Sequence, residues 1–332
     1  MKNKRNVIFG SVAVLATVLL TLILPSKFPP HSDDLVVVSL RMPIPVVDSA
    51  FAPYYLAVDK GIFKSHGLDV KIEPGTPELN PVKMLSQDID QFAVLGGPEL
   101  LLSAQSKKAP LVGIAQIHKD SDFVVLLTKQ DSGITKLDEL AQKKVGFFYG
   151  HISTDIIRML LAKEGIKVKE VDVGFDYGQL ITGELSAQWA FRTTAGISLP
   201  ERGIKLNIIS PSDYGIKTQG HVVITNEQTM NQRPEIVGRF VAAVIEATNY
   251  SIEYPDQAIA SCQKRDSNFS ADVGEKQLSV YNPAILRNSK IGWIAREDME
   301  ITKAQMTAAG LLPPDFDISK AYTVRFLNDY YE

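Results

Sequence analysis

The sequence predicts an α/β protein of about two domains, with largely parallel sheets flanked by helices on both faces. Three observations predict it. Short β-branched or apolar runs alternate with helical segments from residue 35 to about residue 225. Several helical segments open on a proline, which suits the first helical turn. The 332 residues fit two domains, and 45% hydrophobic with 22% charged content is that of an ordinary globular chain.

In chain order, Leu35–Leu40 reads as a strand, Pro53–Lys60 as a helix and Leu68–Ile72 as a strand. Pro81–Gln87 is a helix, Phe92–Leu95 a strand, Pro98–Ser106 a helix, and Leu111–Ile117 and Phe123–Thr128 are strands. A second cycle follows: a short helix at Leu137–Gln142, a strand at Lys144–Phe148, and an amphipathic helix at Thr154–Glu164 that stops at Gly165. Val168–Val173, Ala187–Phe191, Leu206–Ser210 and Val222–Thr225 read as strands, with a short helix at Tyr177–Thr182. Beyond Pro234 the pattern is helical: Glu235–Tyr250, Pro255–Gln263, a stretch near Val273–Val280, and Glu297–Ala309. Residues 29–34 read as a linker.

The N-terminus carries its own signal. Lys2, Lys4 and Arg5 precede an uncharged run from Val7 to Leu24, which Pro25 and Lys27 end. A basic head before an apolar run is an export or membrane-insertion signal. At 18 residues this run is near the minimum for a spanning helix, and no small-x-small cleavage site follows it. An uncleaved anchor through residues 7–24 is therefore favoured over a cleaved signal peptide within 1–30. The basic flank would keep the N-terminus cytoplasmic and place the rest outside. No cysteine stands just after the run to carry a lipid, which excludes a lipoprotein anchor.

The formal net charge is -3. Four cationic and no acidic residues lie in 1–30, so the remainder carries -7. Neither that balance nor any Lys/Arg run points to nucleic acid. Cys262 is the only cysteine, which rules out an internal disulfide and any metal site built on several thiolates. The chain has no Gly-x-Ser-x-Gly, no His-Glu-x-x-His, no Walker loop and no dinucleotide-binding glycine fingerprint. No enzymatic activity, cofactor or metal is expected. Asn249-Tyr250-Ser251 and Asn268-Phe269-Ser270 fit the glycosylation pattern, as short matches often do by chance.

In open α/β sheets ligands bind beyond the carboxyl ends of strands, where loops lead into helix N-termini. Three turns have that position: Asp48-Ser49-Ala50-Phe51-Ala52-Pro53, Gly96-Gly97-Pro98-Glu99, and Tyr149-Gly150-His151-Ile152-Ser153-Thr154. Each would present free backbone N–H groups to a polar or anionic group. Ordinary capped helix starts are the competing reading. The candidate ligand-binding residues are Ser49, Phe51, Tyr54, Gly96, Gly97, His118, Tyr149, Ser153, Thr154, Trp189 and Arg192. The aromatic members could sandwich a flat ligand or simply fill the core. Arg192 could clamp an anion or form a surface or interlobe salt bridge. His118, His151 and His221 could donate in a cleft or cap loops. His66 reads as solvent-exposed, and Glu99 as a partner of its helix dipole.

The segment Tyr54-Tyr55-Leu56-Ala57-Val58-Asp59-Lys60-Gly61-Ile62-Phe63-Lys64-Ser65-His66-Gly67-Leu68-Asp69-Val70 resembles the opening signature of periplasmic binding proteins for nitrate, sulfonates, taurine and thiamine pyrimidine precursors. The likeness continues through Asp90–Gly97, Ser132–Leu140, Pro211–Ile216 and Arg233–Phe240. It covers nearly all of 35–310 in order. The resemblance implies a type II periplasmic-binding-protein fold, with a ligand cleft between two lobes. Lobe one would hold 31–127 plus 226–332, and lobe two 128–225. It also implies hinge closure on a small molecule, read by ABC permease and ATPase subunits, with the binding protein itself a monomer in the periplasm or on the outer face of the cytoplasmic membrane. The pyrimidine-binding branch would carry an Asn-Glu after Trp189 and an Asp just before the last lobe-two strand. Here those places read Arg192-Thr193-Thr194 and Gln219-Gly220-His221. A flat heterocycle is expected first as ligand, a sulfonate-like anion second. A membrane-anchored sensor is the alternative. The related eukaryotic pyrimidine synthases use a cysteine cluster for iron, which a lone Cys262 cannot supply.

Overall fold

The computed structural model describes residues 35–76, 78–119, 121–149, 153–286 and 290–332. The expected anchor at 7–24 lies outside the described residues, as do Gly150, His151 and Ile152. Among the described residues no helix is long and apolar enough to cross a membrane.

The first lobe begins with β1 (Val36–Arg41), α1 (Ala52–Asp59), α2 (Ile62–Ser65) and β2 (Leu68–Glu73). It continues with α3 (Pro81–Ser86), β3 (Phe92–Leu95), α4 (Pro98–Ser106) and β4 (Leu111–Gln116). The second lobe holds β5 (Val124–Lys129), β6 (Lys144–Phe147), α5 (Thr154–Lys163), β7 (Lys169–Asp172), α6 (Gly178–Thr182), β8 (Ala187–Phe191), α7 (Ala195–Glu201) and β9 (Leu206–Ile209). The chain returns through β10 (Val222–Asn226) to α8 (Glu227–Gln232), α9 (Pro234–Glu253), α10 (Pro255–Gln263), α11 (Ala271–Leu286), α12 (Arg296–Ala308) and α13 (Arg325–Tyr331). Proline stands at the first or second position of α1, α3, α4, α9 and α10, where its missing N–H costs nothing.

Two five-stranded sheets result, ordered β2-β1-β3-β10-β4 and β7-β6-β8-β5-β9. β1, β2 and β3 pair in parallel, while β10 runs antiparallel between β3 and β4. The second sheet repeats the plan, with β5 antiparallel between β8 and β9. In each lobe the strand just beyond a crossing is the antiparallel one. Pairing thus assigns Val124–Lys129 to the second sheet and Val222–Asn226 to the first. The lobe limits expected at 127/128 and 225/226 cut through β5 and β10, and move to crossings at 117–123 and 210–221. The resemblance gives only approximate limits, and the ladder partner decides where each strand belongs.

The described residues add helices that the sequence pattern did not single out: α2, α7, α8 and α13. The helix expected at Leu137–Gln142 shrinks to one 3₁₀ turn at Asp138–Leu140. In the first lobe Phe240 of α9 stacks on Phe92 of β3, with ring centroids 3.8 Å apart, and on Phe63 at 5.5 Å. This buried stack fixes the long α9 across the sheet.

The crossings form a hydrogen-bonded ribbon. Ile117 N donates to His221 O (2.8 Å), Gly220 N to His118 O (3.0 Å) and Ser121 N to Thr218 O (2.9 Å). The buried Gln116 amide adds bonds to the carbonyls of His118 and Gly220. C-terminal elements brace the ribbon: Gln116 N donates to Gly292 O, and Gln305 of α12 exchanges two hydrogen bonds with the Lys217 backbone. Gly220 is needed here for space. A Cβ at this position would lie 2.5 Å from His118 Cβ and 2.9 Å from Phe123 Cε2. Overpacking at such a site costs about 1–3 kcal/mol. Gly220→Ala should lower unfolding stability by that amount in urea titration, whereas Gly196→Ala, whose Cβ meets nothing closer than 3.8 Å, should change it far less.

Candidate functional site

The turn after β1 is organised by Asp48. Its Oδ1 accepts from Ala50 N (2.8 Å) and so caps the 3₁₀ turn Ser49–Phe51. Its Oδ2 accepts from Gln277 Nε2 of α11 (2.9 Å). The same Gln277 takes a bond from Ser49 N (3.0 Å) and donates to the Thr193 carbonyl of the second lobe (3.0 Å). One helical turn on, the Tyr281 hydroxyl meets Thr193 Oγ1 at 2.6 Å. At the surface Lys276 pairs with Glu201 of α7. Helix α11 therefore joins the β1 turn of one lobe to the β8 turn of the other. Ser49 serves this junction, since its hydroxyl also bonds Gly274 O (3.3 Å). The donors expected to greet an anion at this turn are already met by a carboxylate and an amide.

Next to this junction lies a box of rings, buried except for the half-buried His221. Phe51 packs on His221 (5.1 Å between centroids), and His221 on His118 (4.9 Å). Phe123 meets both His118 and Tyr281 edge-on. The Nδ1 atoms of His118 and His221 are 3.1 Å apart, so one must carry the proton and the other accept it. Burial pushes His221 down to about 4 and, together with the neighbouring His221 charge, His118 well below its usual range. Both rings are neutral at pH 7. His118 Nε2 is buried without a hydrogen-bond partner among the described residues.

The second and third turns approach one another across the lobes, close enough for Asp155 to act on Glu99. Glu99, buried in the first turn of α4, folds its carboxylate back over Gly97. Burial raises its pKa to about 7, its own N–H lowers it, and Asp155 of α5 raises it further. The dipole role expected of Glu99 thus comes with strong desolvation. A Cβ at Gly96 would meet only Leu100 Cδ1, at 3.7 Å. Ser153 and Thr154 are buried at the start of α5, where Arg158 Nη1 donates to Thr154 Oγ1 (3.2 Å). Trp189 is fully buried among Phe148, Phe175 and Phe191, with centroids 5.1–6.1 Å from its own. Tyr149, in contrast, is exposed; its N–H goes to Asp172 and its ring lies beside the Arg158 guanidinium.

Of two other candidates, one is buried and one is engaged by a carboxylate. Tyr54 is buried, its hydroxyl has no partner among the described residues, and burial raises its pKa. Arg192 donates from Nε to Asp122 O (3.0 Å) and from Nη2 to Asp122 Oδ2 (2.6 Å) and Ser210 Oγ. Its fork ties β8 to the first crossing, the salt-bridge alternative read from the sequence. His66, read as exposed, is buried with Nε2 on Glu246 (2.8 Å), because α9 covers it. The residues that sequence reasoning missed are Gln277, Tyr281, Thr193 and Phe123. Among the described residues no group of three or more His, Cys, Asp or Glu could hold a metal ion.

Asp48 makes the junction pH-sensitive. Burial raises its pKa from 3.8 to about 6 against hydrogen bonds from Ala50, Tyr281 and Gln277. The folded state therefore keeps the extra proton between about pH 4 and 6, and this residue's contribution to stability falls as pH rises through that window. At about 1.4 kcal/mol per unit the full effect is of order 2–3 kcal/mol. Unfolding free energies of wild type and Asp48→Asn, compared at pH 4 and pH 7, should differ in their pH change by about 2 kcal/mol, wild type gaining at the lower pH. A difference that stays constant would place this carboxyl in water.

A family model described as NMT1/THI5-like matches residues 48–258, more than half of the chain. The formylaminopyrimidine-binding protein of Halalkalibacterium halodurans is 25% identical over 237 residues, 68% of this chain and 71% of that protein. The riboflavin-binding protein RibY of Chloroflexus aurantiacus is 21% identical over 293 residues, 83% and 82% of the two chains. The 4-amino-5-hydroxymethyl-2-methylpyrimidine phosphate synthase THI13 of Saccharomyces cerevisiae is 25% identical over 299 residues, 84% and 83% of the two chains. In structure, the periplasmic aliphatic sulphonate binding protein SsuA of Escherichia coli aligns with TM-score 0.69 at 15% identity, over 86% of this chain and 91% of that one. That likeness gives the fold, two lobes of the periplasmic-binding-protein type. The chain belongs to the NMT1/THI5-like family.

Proposed function

We propose that this protein captures a small organic solute outside the cytoplasm and presents it to the permease and ATPase subunits of an ABC importer, leaving it chemically unchanged. The observation that carries the proposal is the pair of sheets joined by two hydrogen-bonded crossings, with strand-end turns from both lobes meeting around buried rings and one unpartnered imidazole nitrogen. Such a joint closes about a ligand and changes shape as it does so. The relatives named for formylaminopyrimidine and riboflavin support a heterocycle as the first ligand class. The commitment of Arg192 to Asp122, and of the Ser49 amide to Gln277, supports ranking a sulfonate-like anion second. Within the candidate set, Phe51, Gly97 and His118 on the first-lobe side and Ser153, Thr154 and Trp189 on the second-lobe side are the residues we assign to ligand contact. Tyr54, Gly96 and Tyr149 stay secondary candidates.

An enzymatic reading draws on the yeast synthase relative. Against it stands Cys262: burial, with Asp48 nearby, pushes its thiol up to about 12. A thiol held that far from ionisation is neither a good nucleophile nor a good metal ligand. The basic-then-apolar N-terminus supports export, with residues 7–24 as anchor. A membrane-tethered sensor uses the same cleft and differs only in the partner that reads closure.

Native mass spectrometry of the full-length protein, followed by denaturation and identification of released small molecules, tests the proposal. A stoichiometric heterocycle, released unaltered, is the expected result, and Trp189→Ala should weaken its rebinding at least tenfold while Trp189→Phe retains most of it. A protein that carries nothing and shows no thermal shift with pyrimidines, flavins or sulfonates would contradict solute capture. Turnover of the ligand would contradict a purely binding role.

A further inference from the structure

A cavity of about 350 Å³ is lined by Lys119, Asp122, Phe123, Arg192, Val280, Pro283 and Ala284. It lies where the first crossing, the end of β8 and helix α11 come together. Lys119 is held there by its backbone, whose N–H donates to Ala284 O at 3.0 Å. The residue is 1% exposed, and its ammonium has no hydrogen-bond partner among the described residues. Buried ammonium groups are normally paired, because removing one from water without a partner is among the costliest acts in folding. Asp122, on the same wall, is engaged by Arg192 at 2.6 Å. Asp298 of α12 favours the charged form of Lys119 only through space. Among the described residues no hydrogen bond engages Arg192 Nη1. The wall thus holds two cations and one carboxylate, and the rest of it is apolar: Phe123, Val280, Pro283 and Ala284.

We infer that this cavity is a binding site for a small organic monoanion, a carboxylate or sulfonate whose charge pairs with Lys119 and whose apolar body lies against Phe123 and α11. An anion there would touch the crossing, the second lobe and α11 together, so its occupancy would stiffen the joint about which the lobes close. Burial holds the lysine below its usual pKa, an effect that an adjacent anion reverses. The inference needs only the cavity and its charges, and it stands whichever solute the cleft carries.

Benzoate and benzenesulfonate are suitable probes, with benzyl alcohol and benzylamine as neutral and cationic counterparts. Calorimetric titration of the full-length protein should show one saturable site for at least one of the two anions and none for the alcohol or the amine. The tighter anion names the class. Lys119→Arg should bind within a few-fold of wild type, and Lys119→Met at least tenfold more weakly. Replacing an unpaired buried ammonium by a thioether of similar length should also raise the melting temperature of the free protein, so loss of binding in that variant cannot be ascribed to misfolding. Equal binding of anion and alcohol, no saturable binding of either anion, or unchanged affinity in Lys119→Met would each overturn the inference.

Discussion

The two lobes meet through one buried carboxylate and the helix that answers it. Asp48 has to be taken out of water, and the cost is offset only because Ala50, Gln277 and Tyr281 bring hydrogen-bond donors to it. Two of those donors belong to α11, and the same two side chains reach Thr193 in the other lobe. The conformation of the first strand-end turn, the seat of α11 and the approach of the lobes are consequently one problem with one solution. Removing any member leaves a buried polar group unpaired, a penalty larger than the net worth of a typical hydrogen bond.

Around that junction the topology follows from inserting one lobe into the other. A chain that leaves the first sheet at β4 and must return to it enters each sheet through an antiparallel strand, β5 outward and β10 homeward. The two crossings then lie side by side and bond as a ribbon, tight enough that Gly220 has no room for a side chain. Rings from both crossings, His118, Phe123 and His221, form one side of the space between the lobes, and desolvation keeps the two imidazoles neutral.

Local features of this fold were legible in the sequence for local reasons. Phe92–Leu95, Pro98–Ser106, Ala187–Phe191 and Pro255–Gln263 appear with the limits their patterns imply, since a four- or five-residue apolar run between turn formers, or a proline-led helix, is decided by its own residues. The Gly96-Gly97-Pro98 turn was legible too, because strand, glycine and proline follow one another directly. Partnership was not legible. Nothing near Gln277 or Tyr281 marks them as partners of a turn more than 200 residues away, and nothing beside Arg192 names Asp122 as its carboxylate. His66 looked solvated in its Ser-His-Gly turn until Glu246, on a helix 180 residues later, is brought over it. The lobe limits shifted for the same reason, since β5 and β10 take their places from ladders formed with strands distant in sequence.

Helix α11 couples the lobes through Thr193, and a double-mutant cycle between Thr193→Val and Tyr281→Phe measures that coupling. Both changes remove a hydroxyl and leave the shape nearly intact. Unfolding free energies of the four proteins should reveal an interaction term of about 1 kcal/mol, within the usual range for directly bonded buried pairs. Strictly additive effects would contradict the account, since they would mean that the lobes approach one another without α11 holding them.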